Sequence, residues 1–126
     1  MKKTWIVTGG NTGLGYECTR NLARDPNDLV VIACRDPKKA EQASTTLRQS
    51  GGAVQVLALD LSKLSSVRAF VAQFQGANLP PLEGVICNAG SQSVAVPMRT
   101  AEGYETTFAV NHLGHYLLTR LLLPRP

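Results

Sequence analysis

The stretch Lys3–Gly15 reads KTWIVTGGNTGLG and decides the fold, because a short apolar segment in it runs directly into a glycine-rich turn. The residues after the turn carry an apolar stripe at helical spacing, at Leu14, Cys18, Leu22 and Ala23. A strand, a glycine turn and a helix in this order direct backbone N–H groups and a helix N-terminus at a phosphate group. The stretch therefore predicts a nucleotide site.

The glycines of this turn differ in spacing from two common phosphate-binding patterns. They do not follow the order G-x-G-x-x-G, and no Lys-Ser or Lys-Thr pair follows them as in a Walker loop. We expect Gly9 to let the chain turn sharply out of the strand, Gly13 to let backbone approach a pyrophosphate, and Gly15 to let the helix pack close to the sheet. The alternative is an ordinary glycine-rich turn between a strand and a helix.

The length and composition are those of one soluble globular domain. The chain has 126 residues, of which 44% are hydrophobic and 17% charged. It lacks an apolar run long enough to span a membrane and the apolar core of a signal peptide. Three scattered cysteines, Cys18, Cys34 and Cys87, favour a reducing compartment, and we expect the cytoplasm. The net charge of +4 is dispersed, so nucleic acid is not an expected partner.

Apolar segments and amphipathic segments alternate along the whole chain. The pattern predicts strands at 4–8, 29–34, 53–59 and 82–87. It predicts helices at 13–24, at 37–49 after an Asp36-Pro37 start, from an N-cap at Ser62, and from about 102 to 123. Apolar strands joined by helices form a parallel sheet covered on both faces. We predict an α/β fold with a doubly wound, Rossmann-type sheet of strand order 3-2-1-4, which lacks later strands.

The second predicted strand ends in a pair of charged residues with opposite implications. A carboxylate at this position accepts from a ribose 2′-OH and marks NAD, whereas an arginine pairs with a 2′-phosphate and marks NADP. Asp36 precedes Pro37 and has a structural role as a helix cap. Arg35 has no such role, and we favour it as the phosphate contact. The alternative is that Arg35 is a solvated loop residue.

Two further strand ends carry residues suited to a nucleotide. Asp60 can accept from an adenine amino group while Leu61 packs against the ring, although Asp60 can equally help to cap the next helix. Asn88 can hold backbone across the sheet, and the small residues Ala89 and Gly90 leave room for ribose and nicotinamide. In doubly wound sheets, ligands bind at the carboxyl ends of the strands, where these segments fall.

In combination these motifs resemble the short-chain dehydrogenase/reductase family. The resemblance is carried by TGGNTGLG at 8–15, DL at 60–61, NAG at 88–90 and VNHLGH at 110–115. The runs ACRD at 33–36 and TAEGYE at 100–105 further resemble the NADP-dependent branch that includes retinol dehydrogenases and protochlorophyllide reductases. The resemblance implies a small-molecule substrate, and it implies that Asn111 is the catalytic residue that supports a proton-relay water. It also implies an NADP(H) site formed by Gly9, Asn11, Thr12, Gly13, Leu14, Arg35, Asp60, Leu61, Asn88, Ala89 and Gly90.

The family's chemistry also requires a Tyr-x-x-x-Lys pair, which this sequence lacks. The resemblance therefore implies that residues 1–126 are the N-terminal, cofactor-binding part of a single Rossmann domain and are inactive alone. The alternative is a catalytically silent nucleotide-binding or interaction module. His112 and His115 lack the further ligands that a metal site needs, and no metal is expected. The last helix is apolar around most of its circumference, so we expect burial and self-association through it, as a homo-oligomer.

Overall fold

The computed structural model describes residues 2–90 and 99–123. Strands and helices alternate through the first two thirds of the chain, and a helical segment in three parts ends it. The elements are β1 (Thr4–Thr8), α1 (Gly13–Leu22), β2 (Leu29–Cys34), α2 (Pro37–Gln49), β3 (Ala53–Ala58), α3 (Leu64–Gly76), β4 (Leu82–Ile86), α4 (Thr106–Phe108), a π-helical segment (Ala109–Gly114) and α5 (His115–Leu122).

The four strands form one parallel sheet in the order β3-β2-β1-β4. This confirms the predicted doubly wound topology. The chain places β2 and β3 on one side of β1, and then crosses over to place β4 on the other side of β1. Parallel strands align their carboxyl ends, so the segments after all four strands meet at one edge of the sheet. The predicted site residues that follow the strands therefore lie along this edge.

The sheet is buried between two hydrophobic clusters. Phe70 and Leu118 belong to the cluster on one face, and Ala40 and Leu47 to the cluster on the other. All six residues of β2 are buried, alternately in the two clusters, which is why this strand is apolar throughout. Helices cover both faces, as the sequence pattern predicts.

The predicted N-cap of the third helix is wrong. Lys63, not Ser62, precedes α3, and it makes no side-chain cap. The hydroxyl and the backbone N–H of Ser62 both donate to Oδ1 of Asp60, at 2.6 and 2.9 Å, and close a turn one residue before the helix. Ser62 is therefore held in a local turn by the carboxylate of Asp60, two residues before it, instead of capping the helix.

The prediction of one long helix from about residue 102 is also wrong. Helical structure begins at Thr106, and Gly103 before it has a φ of +90°, which no α-helix contains. Glu105 accepts from the N–H groups of Thr107 and Phe108, both at 2.9 Å, and thus caps the first turn. Leu118 is fully buried, whereas Phe108 and other apolar residues of this segment stay exposed, so burial is confined to one face.

No helix within residues 2–90 and 99–123 has the length and apolar character needed to cross a bilayer. The other predicted elements agree with the structure to within two residues at their ends.

Candidate functional site

The glycine turn after β1 has a conformation that side chains would block. Gly9 and Gly13 have φ values of +63° and +56°, in the left-handed region that favours glycine. A Cβ on Gly15 would lie 2.2 Å from the carbonyl oxygen of Gly9 and 2.4 Å from Nδ2 of Asn88. Gly15 therefore lets α1 press directly against the end of the sheet, as the sequence predicts. Apart from the glycine's neighbours along the chain, no atom of the described residues lies within 4 Å of a Cβ built on Gly13, so its backbone is open on that side.

The N-terminus of α1 has no acidic residue in its first turn and no side-chain cap. Thr12, the residue before the helix, has extended backbone, and its side chain makes no capping hydrogen bond. The first helical bond runs from the N–H of Tyr16 to the carbonyl of Thr12, at 3.1 Å. The N–H groups of the first turn and the helix dipole thus present partial positive charge where the glycine turn is open. This arrangement suits an anion.

A pair of side chains binds the end of β1 to the end of β4. The buried hydroxyl of Thr8 accepts from the N–H groups of Asn88, at 3.0 Å, and Ala89, at 2.9 Å. In return, Nδ2 of Asn88 donates to the carbonyl oxygens of Thr8 and Gly9, at 3.1 and 3.3 Å. Asn88 therefore holds backbone across the sheet, as expected from its place in the sequence.

A cleft of about 420 Å³ opens at this edge of the sheet, within the size range of ligand pockets. The structure brings most of the predicted site residues into its lining: Gly9, Asn11, Thr12, Arg35, Asp60, Leu61, Ala89 and Gly90. Gly13 and Leu14 instead line an adjoining open depression between α1 and α2, together with Asn11 and Thr12. Asn88 lies outside both linings and holds the turn that carries Ala89 and Gly90.

The part of the cleft next to β2 is basic. Arg35 and Lys39 are both exposed and both line it, and neither forms an ion pair with any described residue. Asp36 also contributes to the lining, but its Oδ1 accepts from the N–H of Lys38 at 3.1 Å and caps α2, as predicted. The sequence analysis did not single out Lys39. Its place in the first turn of a helix that starts beside Arg35 is the signal that could have found it.

The carboxylate after β3 has a structural partner within the cleft wall. Oδ1 of Asp60 accepts from both donors of Ser62, and the N–H of Asp60 donates to Oγ of Ser66 at 2.8 Å. Asp60 therefore closes the turn before α3, where the sequence suggested that it could help to cap the helix, and it also lines the cleft. Ser62 itself lines the cleft, which the sequence did not indicate.

Asn111 lies in the π-helical segment, at the side of the cleft formed by Gly90. A Cβ on Gly90 would lie 3.5 Å from Oδ1 of Asn111. Gly114, in the same segment, comes so close to the sheet that its Cβ would lie 2.5 Å from the carbonyl oxygen of Leu61. The glycine thus lets this segment lie against the cleft, where Val110 joins the lining.

The two histidines of the last helical segment have different environments. Nε2 of His115 lies 2.8 Å from Oγ1 of Thr8 in the interior. Burial lowers the pKa of His115, and hydrogen bonds with the backbone of Asn111 and Val110 offset this only in part. The exposed ring of His112 instead stacks with Phe108. No group of three or more potential metal ligands occurs within the described part of the chain.

A family model described as short chain dehydrogenase matches residues 3–125, and the chain belongs to this family. It is 44% identical over 125 residues to protochlorophyllide reductase from Chlamydomonas reinhardtii, covering 98% of this chain and 31% of that protein. It is 46% identical over 125 residues to retinol dehydrogenase 12 from Mus musculus, covering 98% of this chain and 39% of that protein. The chain thus spans about a third of the length of these relatives.

Solved structures of the same fold include complexes with nicotinamide cofactors. A metagenomic short-chain oxidoreductase in complex with NADP aligns with a TM-score of 0.82 at 29% identity, over 94% of this chain and 54% of that one. A short-chain dehydrogenase from Sphingobium yanoikuyae in complex with NADPH aligns with a TM-score of 0.79 at 28% identity, over 98% and 48% of the two chains.

Proposed function

We propose that this chain binds NADP(H) in the cleft and is the cofactor-binding part of an oxidoreductase that moves a hydride between nicotinamide and a carbonyl or alcohol substrate. One observation carries the proposal. The glycine-lined, uncapped N-terminus of α1 stands at the end of β1, and two cations, Arg35 and Lys39, stand at the end of the neighbouring β2. An anion site beside a second, strongly basic site fits a pyrophosphate joined to a ribose 2′-phosphate.

The residues present fit such a dinucleotide chemically. The open backbone at Gly13 and the N–H groups of the first turn of α1 would hold the pyrophosphate. Arg35, in charge-assisted hydrogen bonds, and Lys39 would hold the 2′-phosphate. Asp60 and Leu61 would contact the adenine, Asn88 would act through the backbone it holds, and small Ala89 and Gly90 would leave room for the nicotinamide ribose.

The bound dinucleotide would supply or accept the hydride. For the chain itself, we propose that Asn111, whose side chain faces Gly90, supports a water that relays the proton. The chain has no Tyr-x-x-x-Lys pair to take up or release that proton, so we propose that it does not turn over substrate alone. Its three free cysteines fit a reducing compartment, and we propose the cytoplasm.

Titration with NADPH and NADH, followed by cofactor fluorescence, tests the cofactor assignment. The wild-type chain should bind NADPH more tightly than NADH. Arg35→Gln or Lys39→Gln should weaken NADPH binding about 10- to 100-fold and leave NADH binding unchanged, because a hydrogen bond to a charged group contributes about 1.5–3 kcal/mol. Lys38→Gln is the matched control, since Lys38 lies on the same helix and does not line the cleft.

Equal affinity for the two cofactors, or an equal loss in Lys38→Gln, would overturn the assignment of the 2′-phosphate. Absence of binding by the folded wild-type chain would overturn the cofactor site. Turnover of a carbonyl substrate by this chain with NADPH would overturn the proposal that it is inactive alone.

A further inference from the structure

The buried His115 stands behind the cleft, and none of the roles proposed above uses it. The residue is 7% exposed, and its Nε2 lies 2.8 Å from Oγ1 of Thr8, which is fully buried at the end of β1. The two residues are 107 positions apart in the sequence, so only the folded chain brings them together. The contact joins the last helical segment to the point where β1 and β4 are bound to each other.

The hydroxyl of Thr8 has one proton and two lone pairs, and the structure accounts for all three. The N–H groups of Asn88 and Ala89 both donate to Oγ1, which uses the two lone pairs. The hydroxyl proton has two possible acceptors, the carbonyl oxygen of Ile86 at 3.3 Å and Nε2 of His115 at 2.8 Å. The shorter contact is within the preferred hydrogen-bond distance, so Nε2 is the main acceptor.

An accepting Nε2 fixes the state of the imidazole ring. Asn111 and Val110 meet the ring with backbone groups, and the carbonyls of a helix are acceptors. With Nε2 as the acceptor, a neutral ring carries its proton on Nδ1. If Nε2 were also protonated, it would become a third donor to a hydroxyl oxygen that has only two lone pairs, and an amide of the turn would lose its partner.

We propose that neutral His115 is a positioning residue: it takes the proton of Thr8 and so keeps both lone pairs of that hydroxyl on the amides of Asn88 and Ala89, which fixes the turn that lines the cleft. The same ring contacts the backbone of Asn111, so the position of the turn and that of the π-helical segment depend on one side chain. The consequence for cofactor binding rests on the function proposed above.

Charged groups near the ring do not compete with this role. β1 contains no ionisable side chain, and on β4 the exposed Glu83 pairs with Lys3 at 3.9 Å. Arg68 on α3 and Arg120 on α5 are both exposed. The pKa of His115 is lowered by burial and raised by its backbone hydrogen bonds, with no contribution from a charge.

Three variants separate this role from simple packing. His115→Leu removes the acceptor, whereas His115→Gln places an acceptor near the position of Nε2 and cannot be protonated. His112→Gln is the matched control, because His112 is an exposed histidine three positions away. The measurements are hydrogen–deuterium exchange of the Asn88 and Ala89 amides and the ring tautomer from long-range ¹H–¹⁵N spectra.

We expect the Nδ1–H tautomer at neutral pH. Exchange at the two amides should accelerate about tenfold in His115→Leu relative to the amides of β2, and should stay close to the wild-type rate in His115→Gln and His112→Gln. If His115→Leu does not fold, amide exchange measured over a series of pH values tests the role of His115 instead. Lowering the pH through the titration of His115 should reduce protection of these amides in the wild-type chain but not in His115→Gln.

An Nε2–H tautomer, unchanged exchange in a folded His115→Leu chain, or the same pH response in His115→Gln would overturn the proposal. NADPH titration of the same variants then distinguishes a failure of the His115 proposal from a failure of the proposed function. Weaker NADPH binding in His115→Leu, with binding restored in His115→Gln, supports both the NADP(H) site and the positioning role of His115. Absent binding in every variant, with the expected exchange pattern, overturns the NADP(H) site and leaves the positioning role of His115 in place.

Discussion

Replacing Gly15 with alanine should destabilise the chain by about 3 kcal/mol. The added Cβ would lie 2.2 Å from the carbonyl oxygen of Gly9, 2.9 Å from its carbonyl carbon and 2.4 Å from Nδ2 of Asn88. Relief requires a shift of roughly 1 Å, and the atoms in the way are mostly backbone, so overpacking should cost about 1–3 kcal/mol. Moving Asn88 also weakens its bonds to Thr8 and Gly9, at about 1 kcal/mol each.

Urea or thermal unfolding of the variant and the wild-type chain measures this loss. For a domain of this size, 1 kcal/mol corresponds to about 4 °C in melting temperature, so the variant should melt about 12 °C lower. Gly76→Ala is the matched control. Gly76 is the last residue of α3, a Cβ there meets no atom of the described part of the chain within 4 Å, and its φ is not positive. This variant should therefore be neutral or stabilised by up to about 1 kcal/mol.

Gly13→Ala separates packing from backbone strain. A Cβ on Gly13 also meets no atom of residues 2–90 and 99–123 within 4 Å, but the φ of +56° should cost about 1–2 kcal/mol. We therefore expect the order Gly76, Gly13, Gly15 for increasing loss of stability on substitution. A Gly15→Ala chain as stable as wild type, or less damaged than Gly13→Ala, would refute the close approach of α1 to the sheet.

Two further predictions concern the last helical segment. Because burial lowers the pKa of His115 below its ordinary value of 6.5, the unfolded chain binds a proton first as the pH falls. The unfolding free energy should therefore decrease as the pH falls below about 6.5, by up to about 1.4 kcal/mol per pH unit, and His115→Gln should lack this component. The exposed Phe108 and Tyr116, at 49% and 60%, should promote self-association. Phe108→Glu with Tyr116→Glu should lower the weight-average mass in sedimentation, and an unchanged mass would contradict that interface.

The parts of the fold that follow from local rules could be predicted from the sequence. All residues of β2 are apolar because both faces of the strand are covered, which also indicates a parallel sheet. Asp36 and Pro37 form a helix start through bonds within three residues, so their role is visible in the sequence. The glycine turn belongs to the same class, since the left-handed φ of Gly9 depends on its own turn.

The parts that could not be predicted depend on residues far apart in the chain. Ser62 is a local exception: it matches the pattern of an N-cap, but its hydroxyl and its N–H donate to Asp60, two residues before it. The contact between Thr8 and His115 joins residues on different elements, and no local pattern indicates it. Gly114 lies within an apolar helical pattern, and only the approach to Leu61 explains why it is a glycine. These contacts become visible once the packing of the last helical segment is known.

In the proposed NADP(H) site, buried residues hold the end of the sheet together, and the exposed Arg35 and Lys39 are the residues we propose to select the ligand. Thr8 is fully buried and holds the ends of β1 and β4 together, and the backbone it fixes admits no Cβ at Gly15. Changes among these residues should act through folding, because each one leaves a clash or an unpaired polar group in the interior. Arg35 and Lys39 are exposed, so changing them should leave stability nearly intact and alter which cofactor binds. We therefore expect that changes at Arg35 and Lys39 can alter cofactor preference without rebuilding the turn beneath them.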